Sequence, residues 1–173
     1  MKYLYLIILI ILVGCTSTNL VVNKMKLTSF VFVNNGEIPS KYTCDDKNIS
    51  PPLEISDVPK NAKSLVLIMD DPDAIKPAEK VWDHWIVFNI PADTTKINEG
   101  EEPKGIHGRG TGGNSKYSGP CPPDAMHRYF FKLYALDTNL EVREGASKRE
   151  VEESMKGHIL DQATLMGTYE RVK

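Results

Sequence analysis

Asp71-Pro72-Asp73 presents two carboxylates two positions apart, with Pro72 fixing the backbone angle between them. Two imidazoles follow at His84 and His127, and a phenol stands two residues beyond the second, at Tyr129. Imidazole N–H, phenol O–H and loop backbone N–H groups together bind a small anion. Neighbouring carboxylates orient the imidazoles and favour their protonated form. Immediately before His127 runs the Gly- and Pro-rich segment Gly112 to Pro123, GGNSKYSGPCPP. There Pro120, Pro122 and Pro123 fix three φ angles and remove three donors, which excludes both helix and central strand. A stiff loop of this kind suits the wall of a pocket mouth, so Pro120 joins Asp71, Asp73, His84, His127 and Tyr129 as candidate ligand-binding residues. The plainer reading of Asp71 and Asp73 is a turn, where Asp-Pro-Asp is common.

Other chemistries fit less well. Two His and two Asp can ligate zinc, but these are scattered between residues 71 and 127 without a dense signature such as HExxH. Gly108-x-Gly110-x-x-Gly113 matches a dinucleotide fingerprint in letters only, because Ser118 to Pro123 cannot form the helix that must follow. Ser115 and Ser118 precede His127, yet no G-x-S-x-G elbow is present, and Cys121 between prolines reads as structural. His107 and His158 have no identifiable sequence partner. The expectation is a binding protein rather than an enzyme, with no cofactor and no metal.

These groups must be positioned by strands. Ser64 to Met69, SLVLIM, is a continuous apolar run, expected to be a strand buried on both faces. In His84 to Ile90, alternation places His84, Ile86, Phe88 and Ile90 on one face. In the strand beginning at His127, alternation places His127, Tyr129, Phe131, Leu133 and Ala135 together. A first strand is expected over Lys26 to Val33, ending at the turn Asn34-Asn35-Gly36, and Leu53 to Ile55 reads as a short one. Ser147-x-x-Glu150 is a capping box, and Val151, Met155 and Ile159 recur at helical spacing, predicting a helix of about three turns. A second short helix is expected over Asp161 to Met166, then a closing strand from Thr168 to Val172. Strands separated by long loops predict a mainly β fold with minor α: an antiparallel β-sandwich of two sheets, whose strand ends gather the candidate residues at one rim.

The chain has 173 residues, 41% of them hydrophobic, and a net charge of −2. It opens with Lys2 and an apolar run from Tyr3 to Val13, too short for a spanning helix of roughly 20 residues. Leu12-Val13-Gly14-Cys15 resembles a bacterial lipobox. This predicts a signal peptide over residues 1–14, lipidation of Cys15, a tether over 15–24 and one domain over 25–173, exported and anchored to a membrane. No basic block exists to engage a phosphate backbone, so nucleic acid is an unsuited partner. Outside the cytoplasm, Cys44 and Cys121 have two readings, a disulfide or two separate buried thiols, since sequence gives no Cα separation.

Taken together, Asp71-Pro72-Asp73-Ala74, His84-Trp85-Ile86-Val87-Phe88-Asn89, Tyr117 to Pro123 and His127-Arg128-Tyr129 resemble the phosphatidylethanolamine-binding proteins, also called Raf kinase inhibitor-like proteins. The resemblance runs from about Lys26 to Val172. Tyr42 to Asp45 and Gly167 to Arg171 are similar to its prokaryotic branch. It implies a two-sheet sandwich with a small anion pocket, in which Asp71, His84, His127 and Tyr129 match the family's aspartate, two histidines and tyrosine. It further implies a phosphate-like or phospholipid-headgroup ligand or, as the alternative, a protein partner such as a protease or kinase that is inhibited through the surface around the Gly/Pro loop. Ile75 departs from the family pattern, which has Pro after Ala74, and the eukaryotic C-terminal helix has no counterpart.

Overall fold

A computed structural model describes residues 24–75 and 80–171; Cys15 and the leader lie outside them. The organising element is β4 (Ser64–Asp71), all eight residues of which are buried. It lies between β5 (Trp82–Pro91) and β8 (His127–Leu136), antiparallel to both. A central strand covered on both faces needs no polar alternation, which is why SLVLIM reads as one apolar block.

The remaining strands are β1 (Lys26–Thr28), β2 (Gly36–Glu37), β3 (Leu53–Ser56), β6 (Lys96–Ile97), β7 (Ile106–His107) and β9 (Ile159–Tyr169). They complete a six-stranded sheet, β2-β9-β8-β4-β5-β7, and a three-stranded sheet, β1-β3-β6. The small sheet covers one face of the large one. Leu27, Leu53, Ile55 and Ile97 share a core with Leu65, Leu67, Met69, Trp85, Phe131 and Leu133. The opposite face carries Val66, Ile68, Ile86 and Phe88, covered by Leu140, Ala146, Val151 and Met155. The two-layer expectation therefore gains a third layer, formed by helix α1 (Lys148–Met155) and the segment leading into it. Full burial of leucines such as Leu65 and Leu133 contributes about 2–3 kcal/mol each.

Three expectations are corrected. The sheets are not purely antiparallel, because β2 pairs with β9 in parallel, Gly36 opposite Gly167. The helix expected over Asp161 to Met166 is part of β9, paired to β8 from Tyr134–Gln162 through Phe130–Met166. Weak helical spacing there loses to ten residues of ladder against an edge that β8 would otherwise expose. The first strand is cut to three residues: Phe30 and Val33 point outward while Phe32 turns into the core, so no strand alternation survives past Thr28. The helix itself starts where the capping box predicts. The Ser147 hydroxyl accepts from the Glu150 backbone N–H, while the Ser147 hydroxyl and backbone N–H both donate to the Glu150 carboxylate and hold its pKa down at about 2. It stops at Met155, and Ile159 belongs to β9.

Candidate functional site

A cavity of about 350 Å³ opens beside the ends of β4, β5 and β8. β4 supplies Asp71 and β8 supplies His127 and Tyr129, which share a face as alternation requires; Asp71, His127 and Tyr129 are all buried. Asp71 Oδ1 accepts from the backbone N–H groups of Asp73 and Ala74 at 2.8 and 3.2 Å, and Oδ2 lies 2.7 Å from His127 Nδ1. The Asp-Pro-Asp turn is thus both a turn and a site element.

His84 arrives by a different route. Between the pairs Met69–Trp85 and Asp70–Asp83, β5 has one residue more than β4, and His84 is the unmatched one. A bulge re-aims the side chain it carries. Ile86 and Phe88 pack under the helix layer, whereas His84 lines the cavity and meets Tyr129 edge to face, with centroids 5.3 Å apart. Asp83 is sent to the other face, where Lys148 bridges it and Asp70 at 3.2 and 2.6 Å. A second irregularity, between Leu65 and Leu67, coincides with Asn89 at φ 55° and returns Ile90 to the inner core. The expected common face of His84, Ile86, Phe88 and Ile90 is therefore broken twice.

The last wall is the Gly/Pro loop, through Ser118, Gly119, Cys121, Pro122 and Pro123. Its attachment resolves the cysteine question: Cys44 and Cys121 form a disulfide, with Cα atoms 5.4 Å apart. The Cys44 N–H donates to the Pro120 carbonyl at 3.0 Å, the Gly119 N–H to Asn48 Oδ1 at 2.8 Å, and the Tyr117 hydroxyl to the Tyr42 carbonyl at 2.7 Å. Gly119 lies so close to this segment that an added Cβ would collide with the Tyr42 carbonyl oxygen and the Thr43 Cα. Pro120, expected among the ligand contacts, gives its carbonyl to this brace and is not among the residues that line the cavity. Asp73 is also outside. Its carboxylate takes the Arg128 guanidinium at 2.9 and 2.7 Å and the Arg128 backbone N–H at 2.9 Å, and this pairing lowers its pKa. The fork of Arg128 outcompetes a pocket role for that carboxylate.

Sequence reading missed Asp124. Its Oδ1 lies 2.9 Å from His127 Nε2. The only available sign was a carboxylate three residues ahead of the histidine. Burial pulls the His127 pKa down, but Asp71 and Asp124 outweigh it and the net direction is up. With a carboxylate on each ring nitrogen, the surroundings of His127 favour its protonated form. His84 is its opposite. Burial lowers its pKa against the pull of the Ser118 carbonyl, and that carbonyl, 2.7 Å from Nδ1, can only accept. Nδ1 therefore carries the proton and Nε2 keeps a lone pair. His84 Nε2 and the Tyr129 hydroxyl are buried without a partner in good hydrogen-bond geometry; the nearby Cys121 backbone N–H lowers the Tyr129 pKa, but burial, followed by the Asp71 charge, raises it overall. Native proteins rarely leave such atoms unsatisfied except where a ligand or water completes them. Among the described residues, no group of three or more His, Cys, Asp or Glu is arranged to hold a metal ion.

Two sheets, one short helix and a cavity where two histidines, an aspartate and a tyrosine meet at three strand ends define a class of small β-rich proteins. The family model described as phosphatidylethanolamine-binding protein matches residues 28–170, and the chain belongs to that family. A relative named UPF0098 protein from Methanothermobacter thermautotrophicus is 52% identical over 153 residues, covering 85% of this chain and 99% of its own. Among solved structures, the phosphatidylethanolamine-binding protein homolog CT736 from Chlamydia trachomatis is 48% identical with a TM-score of 0.84, covering 87% of this chain and 99% of that one. YbcL of Escherichia coli, a member of the same family, is 30% identical with a TM-score of 0.79, covering 87% and 100%.

Proposed function

We propose that the chain is a non-enzymatic binding protein that holds a small phosphate-like anion or phospholipid headgroup in this cavity. The observation that carries the reading is the pair of unpartnered buried groups, His84 Nε2 and Tyr129 Oη, on two residues that line the cavity beside His127. Tyr129 offers an O–H donor. His127 offers a second, on Nε2, once the half-exposed Asp124 carboxylate swings aside. The name of the family points to the same ligand class. Titration of the protein with phosphate, followed by amide chemical shifts, tests this: shifts around Ser118, His127 and Tyr129 are expected, and their persistence in His127→Ala would refute the site.

The protein acts outside the cytoplasm in this reading, held by a lipid on Cys15. Detergent partitioning of wild type and Cys15→Ala separates anchored from soluble protein, and equal partitioning would remove the anchor. The second reading, a protease or kinase inhibitor, draws on the disulfide-braced Gly/Pro loop, since a rigid loop loses little entropy on docking. Inhibition that survives His127→Ala would select that surface over the cavity.

A further inference from the structure

Phe30 and Val33 are each 74% exposed, well above Ile75, Met126 and Ile159, the other large apolar side chains at the surface of the described residues. Both sit on the loop over residues 29–35 that follows β1, and neither lines the cavity. Phe32 between them is buried against Phe131, with ring centroids 5.9 Å apart. The loop is tied at both ends. The Ser29 hydroxyl donates to the Pro52 carbonyl at 2.6 Å, and the Met166 N–H donates to Asn34 Oδ1 at 2.9 Å. The Gly36 N–H donates to the Val33 carbonyl and the Asn35 N–H to the Met166 carbonyl, each at 2.8 Å. Phe32 fills the place in the core and these bonds hold the backbone, so Phe30 and Val33 are kept out in solvent.

What covers them follows from where the loop stands in the chain. Cys15 precedes Phe30 by 15 residues, and Lys24, where the described structure begins, precedes it by six. Fifteen residues span at most about 50 Å, so a lipid on Cys15 keeps the loop within reach of the bilayer it enters. A short tether makes docking an intramolecular step at an effective concentration of about millimolar, which populates a contact too weak to form from solution. A protein partner is the poorer match, because a stable interface buries about 1,000 Å² or more and two side chains on one loop fall short of that. The charges beside the loop are mixed: Lys26 faces Asp57 at 3.1 Å, and Glu37 and Glu54 are exposed. Apolar insertion, not attraction to anionic headgroups, is then the driving term.

Resting on the reading that Cys15 carries a lipid, we propose that residues 29–35 form a membrane-docking loop, with Phe30 and Val33 inserted at the boundary between headgroups and acyl chains. The attachment then sets orientation as well as location. The side of the molecule carrying β1 and the β9 edge faces the lipid, and α1, across the large sheet from β1, faces away.

The test uses the full chain, purified as the lipoprotein and reconstituted in phosphatidylcholine vesicles whose acyl chains carry bromine near the headgroup end. In Phe30→Trp the new indole is expected about 5–10 Å into the boundary, and its emission is expected to fall at least about twofold relative to unbrominated vesicles, with little change on adding salt. Wild type gives the background from Trp82 and Trp85. Arg149→Trp, on the exposed face of α1, is expected to stay unquenched. Should Phe30→Trp fail to fold, Val33→Trp carries the same measurement. Vesicle flotation separates the two readings. Co-flotation without quenching of the loop tryptophan beyond that of Arg149→Trp overturns docking and leaves the anchor, and failure to float overturns both. A blue shift of the loop tryptophan that grows with protein density, without bromine quenching, assigns the loop to a second copy and overturns docking on lipid.

Discussion

Asp71 Oδ2 and His127 Nδ1 stand 2.7 Å apart, joining residues 56 positions apart in the chain at the adjoining ends of neighbouring strands. The same carboxylate closes its own turn through the backbone N–H groups of Asp73 and Ala74, so one side chain both ends β4 and helps to raise the pKa of the imidazole. Asp73, two residues on, faces Arg128 and serves the outside of the same corner.

Asp71→Asn is expected to cost about 2–3 kcal/mol, the scale of a buried charge-assisted hydrogen bond. The cost depends on pH. Folding raises the His127 pKa above its ordinary 6.5, so the stabilisation from that pairing is fully present below pH 6.5 and is lost as pH rises through the raised value. Urea unfolding at pH 5.5 and pH 9 reads this. The gap between wild type and variant should be larger at the lower pH.

Asp124→Asn is expected to strengthen phosphate binding several-fold. The carboxylate competes with an anionic ligand for His127 Nε2, and an amide competes less well. Titration at constant ionic strength checks it, and weaker binding would mean that Asp124 prepares the imidazolium rather than blocking it.

The double variant Cys44→Ser/Cys121→Ser opens a loop closed over a sequence separation of 77 and is expected to lower stability by about 4 kcal/mol on the chain-entropy account. Phosphate affinity should fall as well, because Ser118 to Pro123 form the wall that the disulfide holds. Calorimetric binding and denaturant curves on the folded variant separate the two effects.

Lys148→Met is expected to destabilise the protein by about 2–3 kcal/mol, because the buried Asp70 and the partly buried Asp83 both lose their bridge to the helix, leaving Asp70 to Lys132 alone. Burial opposes the charge on Lys148, but Asp70 and Asp83 raise its pKa overall. Adding Asp70→Asn should recover part of the loss, and an additive double-variant cycle would deny the coupling.

Much of the molecule follows from the order of residues alone. The apolar run of β4, the alternation that puts His127 and Tyr129 on one face and the capping box at Ser147 are local patterns, set by side-chain period and backbone chemistry. Other features depend on partners that local pattern does not contain. Asp161 to Met166 became strand because β8 offered an unpaired edge, and β2 ran parallel to β9 because its chain enters from the same end. His84 reached the cavity through an extra residue in β5 that only the register against β4 reveals, and Asp73 was claimed by Arg128 once the turn closed. The sequence by itself determined which chemistries were present: two imidazoles, a phenol, carboxylates and two thiols in a β-rich chain. Tertiary structure alone decided their surroundings, because a raised His127 pKa, a lowered His84 pKa and a paired Cys44–Cys121 depend on burial and on distances across dozens of residues.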